Sequence, residues 1–290
     1  MKPRHAHRSV RCASDSSPTR SSRRIPSRSR SSRRHERPAA HRVSRCAGSG
    51  ARAARREAPG ARKVSARVAI VVFPGTNCEL DVAHSLEQLG GSTELVFHTA
   101  TSLGGADAVV VPGGFAHGDY LRTGALARFS PVMTAVAEHA AAGGPVVGIC
   151  NGFQVLTEAD LLPGALQKNV GLKFLCKTVE CRVETSASVL TSGVAPGTVL
   201  RLPINHFEGN YICDQVTLDQ LRAEDRIVLR YVDNPNGALD DIAGIANERG
   251  NVVGLMPHPE RASDALLGSS DGVVLLQSLL DAAVARSEAA

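Results

Sequence analysis

Gly148-Ile149-Cys150-Asn151-Gly152 places a cysteine between two glycines, directly after the apolar run Pro145-Val146-Val147 and directly before a helix-compatible segment. A buried parallel strand that turns tightly into a helix there would hold Cys150 on a strained corner with its sulfur above the sheet edge. That is a nucleophile elbow with sulfur in place of oxygen. Gly148 and Gly152 remove the β-carbons that would collide with the turn. The start of the following helix aims free N–H groups and the positive end of its dipole at the sulfur, which favours thiolate over thiol. A second stretch, Pro257-His258-Pro259-Glu260-Arg261, supplies an imidazole, His258, 108 residues beyond Cys150, and, two residues on, a carboxylate. Together they would make the nucleophile, base and orienting group of a covalent catalyst.

The elements that must position these groups read as alternating strands and helices. Arg67 to Phe73 is a β-branched run suited to a first, central strand. Pro74-Gly75 breaks it, and Thr76-x-x-Glu79 offers a capping box for a helix that ends at Gly90-Gly91. Strands follow at Thr93 to Phe97 and Ala108 to Val111, a helix at Pro131 to Ala142, and the elbow strand at Pro145 to Ile149. Beyond Leu172 the chain becomes strand-like runs joined by polar turns, closed by a helix from Gly272 to Arg286. Alternating βα units predict a parallel sheet, and ligands gather at the carboxyl ends of its strands, where Pro74-Gly75, Gly113-Gly114 and Cys150 all fall. A tetrahedral intermediate at an amide carbon develops an oxyanion that backbone N–H groups must meet; those of Gly114 and Asn151 are the natural pair.

Charge divides the chain. Residues 1–66 carry 19 Lys and Arg against 3 Asp and Glu, whereas residues 67–290 carry 14 against 25. The basic segment is Arg/Ser-rich and has no aromatic residue, so it buries little, repels itself and is expected to be disordered. It fits a phosphate-neutralising tail, a transit peptide, or a stretch upstream of the functional protein. No apolar segment follows Met1 as in a secretory signal, and no run reaches the roughly 18 apolar residues of a membrane span. Residues 67–290 suit one α/β domain with a substantial core. Seven cysteines without CxxC spacing speak for a reducing cytoplasm and against a disulfide framework or structural zinc.

With Cys150, His258, Glu260 and Gly113-Gly114 identified, the chain resembles the triad-type glutamine amidotransferases over residues 67–290. The motifs are Phe73 to Cys78, Pro112 to Phe115 with Gly118 to Arg122, the elbow, Asn234 to Gly237 with Asp240 to Ile245, and Pro257 to Ala262. Two stretches depart from the family pattern: Ala116-His117 replaces a serine-aromatic pair, and Asn205 and Phe207 interrupt the segment around His206, Glu208 and Gly209. The resemblance implies a three-layer, flavodoxin-like α/β fold with a mostly parallel central sheet flanked by helices. It implies hydrolysis of L-glutamine through a cysteine thioester, with Cys150, His258 and Glu260 as the triad and Gly114, Asn151, Gln154 and His206 binding the substrate. It further implies a large synthase partner that uses ATP and magnesium and receives the ammonia internally, with a small third subunit.

This chain shows no GxxxxGK[ST] loop and no GxGxxG after a strand, so no cofactor is expected on it. His206-x-Glu208 and His258-x-Glu260 could be read as metal ligands, but such pairs serve hydrogen bonding more often, and no metal is expected. Cys78, near a helix start, reads as loop structure. The competing reading keeps the elbow and makes the chain a cysteine hydrolase of the same fold acting on another amide, such as a γ-glutamyl hydrolase or peptidase. Membrane and nucleic-acid partners are not expected.

Overall fold

The computed structural model describes residues 65–289; the expectation of disorder over residues 1–66 falls, up to residue 64, outside the described residues. The fold is an α/β sheet flanked by helices. Its strands are β1 (Arg67–Val72), β2 (Ser92–Phe97), β3 (Ala108–Val111), β4 (Val146–Ile149), β5 (Ala165–Gln167), β6 (Leu175–Val183), β7 (Val199–His206), β8 (Asn210–Ile212), β9 (Ile227–Tyr231), β10 (Ile242–Ala246) and β11 (Val252–Leu255). The helices are α1 (Glu79–Gln88), α2 (Pro131–Ala141), α3 (Asn151–Glu158), α4 (Gln215–Ala223) and α5 (Val273–Ala289). Nine strands form one sheet in the order β2-β1-β3-β4-β11-β10-β9-β6-β7, while β5 and β8 pair separately.

The first five strands of that order run parallel and the remainder continue antiparallel from β11. Residue patterns explain the division. Strands β3, β4 and β11 are buried at every position, as continuous Val/Ile runs covered on both faces must be. Strands β6 and β7 alternate buried with exposed residues, the signature of a sheet with one wet face. Cys176 and Cys181 on β6 accordingly point to opposite environments, one exposed and one buried. Helices α1 and α5 pack on each other and on β1 and β3, and α3 packs over β3, β4 and β11. Each fully buried Val or Ile of this core stabilises the fold by about 1.5–3 kcal/mol.

Two local expectations change. Thr76 does not cap α1: its Oγ1 accepts from the Phe73 N–H at 2.9 Å, and the cap position is Cys78, whose side chain makes no capping bond. The hydroxyl closes the Pro74-Gly75 turn on itself rather than reaching forward to the helix. Helix α4 was absent from the sequence pattern; its cap is Asp214, which accepts from the Thr217 N–H at 2.7 Å. Among the described residues no helix is long and apolar enough to cross a membrane.

Candidate active site

Three adjacent strands deliver the site. In the order β3-β4-β11 all neighbours are parallel, with Val111 opposite Gly148 and Leu255 opposite Ile149, so their carboxyl ends emerge side by side. Those ends lead into Gly113-Gly114, Cys150 and His258. Residues 108 positions apart in the chain therefore meet because β11 inserts beside β4.

Cys150 has φ 52° and ψ −105°, a conformation that L-residues rarely adopt. Its N–H donates to Leu255 O at 2.7 Å and its carbonyl accepts from the Gln154 N–H at 3.2 Å, so the corner is fixed on both sides. Gly152 is needed because a β-carbon there would stand 1.8 Å from the Val111 carbonyl oxygen. The Cys150 sulfur lies 3.7 Å from the Asn205 carbonyl oxygen on β7. At the start of α3, the Asn151 N–H belongs to the first turn, whose donors have no intrahelical acceptor.

The glycine pair beneath is equally constrained. A β-carbon on Gly113 would come within 2.8 Å of His258 Cε1, 3.1 Å of Cys78 Sγ and 3.5 Å of Cys150 Cβ. Only a bare backbone fits between these three side chains. Its carbonyl accepts from the N–H groups of Asn77 and Cys78, both at 3.1 Å. Gly114 has φ +152° and a β-carbon there would strike the Thr76 and Asn77 backbone. The turn thus presents its backbone directly to the space over Cys150.

His258 is buried, and its main-chain N–H is tied to Pro203 O of β7 at 2.9 Å. Its Nδ1 lies 2.6 Å from Glu260 Oε1, so Nδ1–H donates to the carboxylate and Nε2 is left to face the sulfurs. Burial works to lower the imidazole pKa, but Glu260 and the neighbouring Cys150 and Cys78 sulfurs outweigh it and hold it well above its ordinary value. His206 is its opposite. Burial, reinforced by His258, brings its pKa down to about 4, leaving a neutral ring. His206 Nδ1 pairs with Asn169 Oδ1 at 3.1 Å, and Asn169 Nδ2 donates to Lys173 O and His206 O. The ring is thereby oriented, with Nε2 unpartnered among the described residues.

A cavity of about 290 Å³ joins these groups. Of the residues the sequence singled out, Cys150, His258, Gly114, Gln154 and His206 line it. Glu260 stands behind His258. Asn151 instead braces the walls: its Oδ1 accepts from the Ala116 N–H at 2.9 Å, and its Nδ2 donates to Asp119 at 3.1 Å and Gln154 at 2.8 Å. Gln154 in turn donates to Glu208 O. The departures from the family pattern also find places: His117 Nε2 is 3.2 Å from Ser130 Oγ, and Asn205 and Phe207 line the cavity.

Three groups of the cavity were not assigned to the substrate site from the sequence. Asp119 and Glu208 line the cavity, and burial followed by the Glu208 charge raises Asp119 to about 6 against the opposing Asn151 and Gly124 hydrogen bonds. Cys78 also faces the cavity rather than serving as loop structure. Cys78 comes to the cavity beside the Gly113 turn, and Asp119 comes to it through Asn151 and near Glu208; such tertiary neighbours are not written in local spacing.

One small cavity thus gathers the Cys150 sulfur, a buried imidazole with a carboxylate behind it and the backbone of a glycine turn, all at the ends of the parallel strands β3, β4 and β11, while Asn205 and His206 reach it from the antiparallel strand β7. The chain belongs to the CobB/CobQ-like glutamine amidotransferase domain family, which it matches over residues 65–270. It is 55% identical over 214 residues to the phosphoribosylformylglycinamidine synthase subunit PurQ of Rubrobacter xylanophilus, covering 74% of this chain and 97% of that protein. Among solved structures it is similar to a chain in the structure of PurLQS from Thermotoga maritima. There the TM-score is 0.69 and the identity 42%, covering 75% of this chain and 98% of that one.

Proposed function

We propose that the chain is the glutaminase subunit of a phosphoribosylformylglycinamidine synthase of de novo purine biosynthesis. It hydrolyses L-glutamine and passes the ammonia to a large synthase subunit, joined by a small third subunit, which converts formylglycinamide ribonucleotide to formylglycinamidine ribonucleotide. ATP and magnesium belong to that partner; this chain needs no cofactor. The compartment is the cytoplasm. Similarity to PurQ over nearly the whole length of that protein supports this reading.

The observation that carries the chemistry is the left-handed Cys150 corner beside a buried imidazole whose Nδ1 is bonded to Glu260 at 2.6 Å. The Cys150 sulfur attacks the side-chain amide carbon of glutamine, and the oxyanion meets the N–H groups of Gly114 and Asn151. The intermediate collapses by breaking the C–N bond while His258 protonates the departing nitrogen, which leaves as ammonia. Water then adds to the γ-glutamyl thioester with His258 as base, releasing glutamate and restoring the thiolate. Glu260 holds the imidazole in the tautomer whose Nε2 serves both steps. Gln154 and His206 shape the pocket, and Asp119 and Glu208 give it an acidic side suited to the α-ammonium of the substrate.

Replacing Cys150 by alanine in the assembled complex tests the reading. Glutamine-dependent synthesis should vanish while synthesis from ammonium ions persists. Retained use of glutamine would refute it, and hydrolysis of other γ-glutamyl amides or peptides with no response to the synthase partner would favour the hydrolase reading.

A further inference from the structure

A free amino acid carries two charges, and Asp119 and Glu208 meet only its ammonium. Arg261 lines the same cavity and is its one permanent cation among the described residues. Neither the Cys150, His258 and Glu260 triad nor the oxyanion donors employ it. The guanidinium is also poorly paired where it stands. Its Nη2 donates to Cys78 Sγ at 3.2 Å, a weak acceptor, and its Nε is 3.6 Å from Asp81 Oδ2, beyond a hydrogen bond. The adjacent Glu260 carboxylate is engaged by His258 Nδ1. We propose that Arg261 receives the α-carboxylate of L-glutamine and so decides that the pocket takes the free amino acid rather than any primary amide.

The reach suits this task. A β-carbon on Gly113 would stand 3.1 Å from Cys78 Sγ and 3.5 Å from Cys150 Cβ. Laid end to end with the Cys78 hydrogen bond, these contacts keep Arg261 Nη2 within about 10 Å of Cys150 Cβ, a length that the Cys150 sulfur, an amide carbon against it and the extended side chain of glutamine together span. A carboxylate is the better partner for the guanidinium fork, because two parallel charge-assisted N–H bonds replace one to sulfur. Cys78 is the acceptor that the substrate displaces. Asp81 lines a different groove, which Arg261 also lines, so it steadies the guanidinium without entering the cavity. With the amide at Cys150, the ammonium at Asp119 and Glu208 and the carboxylate at Arg261, the substrate is held at three points. The assignment rests on the glutaminase reading and extends it to the end of glutamine farthest from the reacting bond.

Steady-state kinetics of the assembled complex with L-glutamine and with 4-aminobutanamide, which is glutamine without its α-carboxylate, test the assignment. Wild type should prefer L-glutamine strongly in kcat/KM. In Arg261→Met the KM for L-glutamine should rise roughly thirtyfold or more, as charge-assisted bonds are lost, while kcat falls far less. Use of 4-aminobutanamide should change little, so the preference collapses. Arg261→Lys should recover part of it, since the charge returns without the fork. A preference for L-glutamine that survives in Arg261→Met, or a loss shared equally by both amides, overturns the assignment. Should Arg261→Met fail to fold by circular dichroism, Arg261→Lys must itself narrow the preference roughly fivefold or more, and an unchanged ratio overturns the assignment. Synthesis from ammonium ions by each preparation reports that the complex is assembled. A wild-type complex that makes product from ammonium ions but never from glutamine refutes the glutaminase reading and this assignment with it. One that uses glutamine while the ratio stays fixed refutes this assignment alone.

Discussion

Replacing Asp119 by asparagine should stabilise the protein above pH 6 and leave its stability unchanged below pH 4. Asp119 lines the cavity at φ 52°, a left-handed position that asparagine accepts at least as well as aspartate. Burial, with Glu208 nearby, raises its carboxyl from the ordinary 3.8 to about 6. The unfolded chain releases that proton near the ordinary value, while the native state holds it to higher pH. Between the two the native state binds more protons, so stability falls as pH rises, and above pH 6 the full penalty applies. A difference of that size corresponds to about 3 kcal/mol. Because the carboxylate keeps part of its surface in solvent, screening reduces this to about 1–2 kcal/mol. The asparagine oxygen can still accept from Asn151 Nδ2, now 3.1 Å from Asp119 Oδ1, so the bracing bond is kept. Urea unfolding of wild type and Asp119→Asn at intervals from pH 4 to pH 8 measures the difference directly. It should grow from near zero to its plateau by about pH 6. A constant difference across that range, or destabilisation at pH 8, would refute the reasoning.

Other expected outcomes follow from the same geometry. Glu260→Gln removes the carboxylate that keeps His258 protonated, so glutamine-dependent kcat should fall by at least a hundredfold and its alkaline limb should move to lower pH. A loss with no movement of the pH profile would point to altered packing alone. Gly152→Ala drives a β-carbon against the Val111 carbonyl and should destabilise the fold by about 3 kcal/mol or more in thermal or urea unfolding, with glutaminase activity lost. An alanine variant of near wild-type stability would show that the elbow is looser than its contacts require. Asn251→Ala strips both donors from the buried carbonyls of Ala140 and Gly144, accepted now at 2.9 and 2.8 Å. It should lower stability by about 2–3 kcal/mol with little effect on KM for glutamine.

Much of this molecule was legible before folding because its strongest signals are local. The Val/Ile runs of β1, β3 and β4 could only be strands covered on both faces, and the glycines flanking Cys150 could only serve a tight corner. His258 and Glu260 stand two residues apart, so their pairing too could be anticipated from the chain. The capping box at Thr76 misled because a hydroxyl can satisfy either the turn behind it or the helix ahead, and the spacing does not say which. Helix α4 escaped notice because its apolar stripe is short, with only Leu218 and Leu221 buried.

What the linear chain determined, then, is which residues could react and which backbone shapes they needed, since both follow from side-chain chemistry and near-neighbour sterics. The tertiary structure alone decided who meets whom. Strand β11 lies beside β4 and not at an edge, so His258 reaches Cys150; β7 crosses nearby, so Asn205 and His206 join the cavity; and the Gly113 turn carries Cys78 up to the imidazole. Those encounters depend on strand order, a property of the whole packed sheet that no short run of residues encodes.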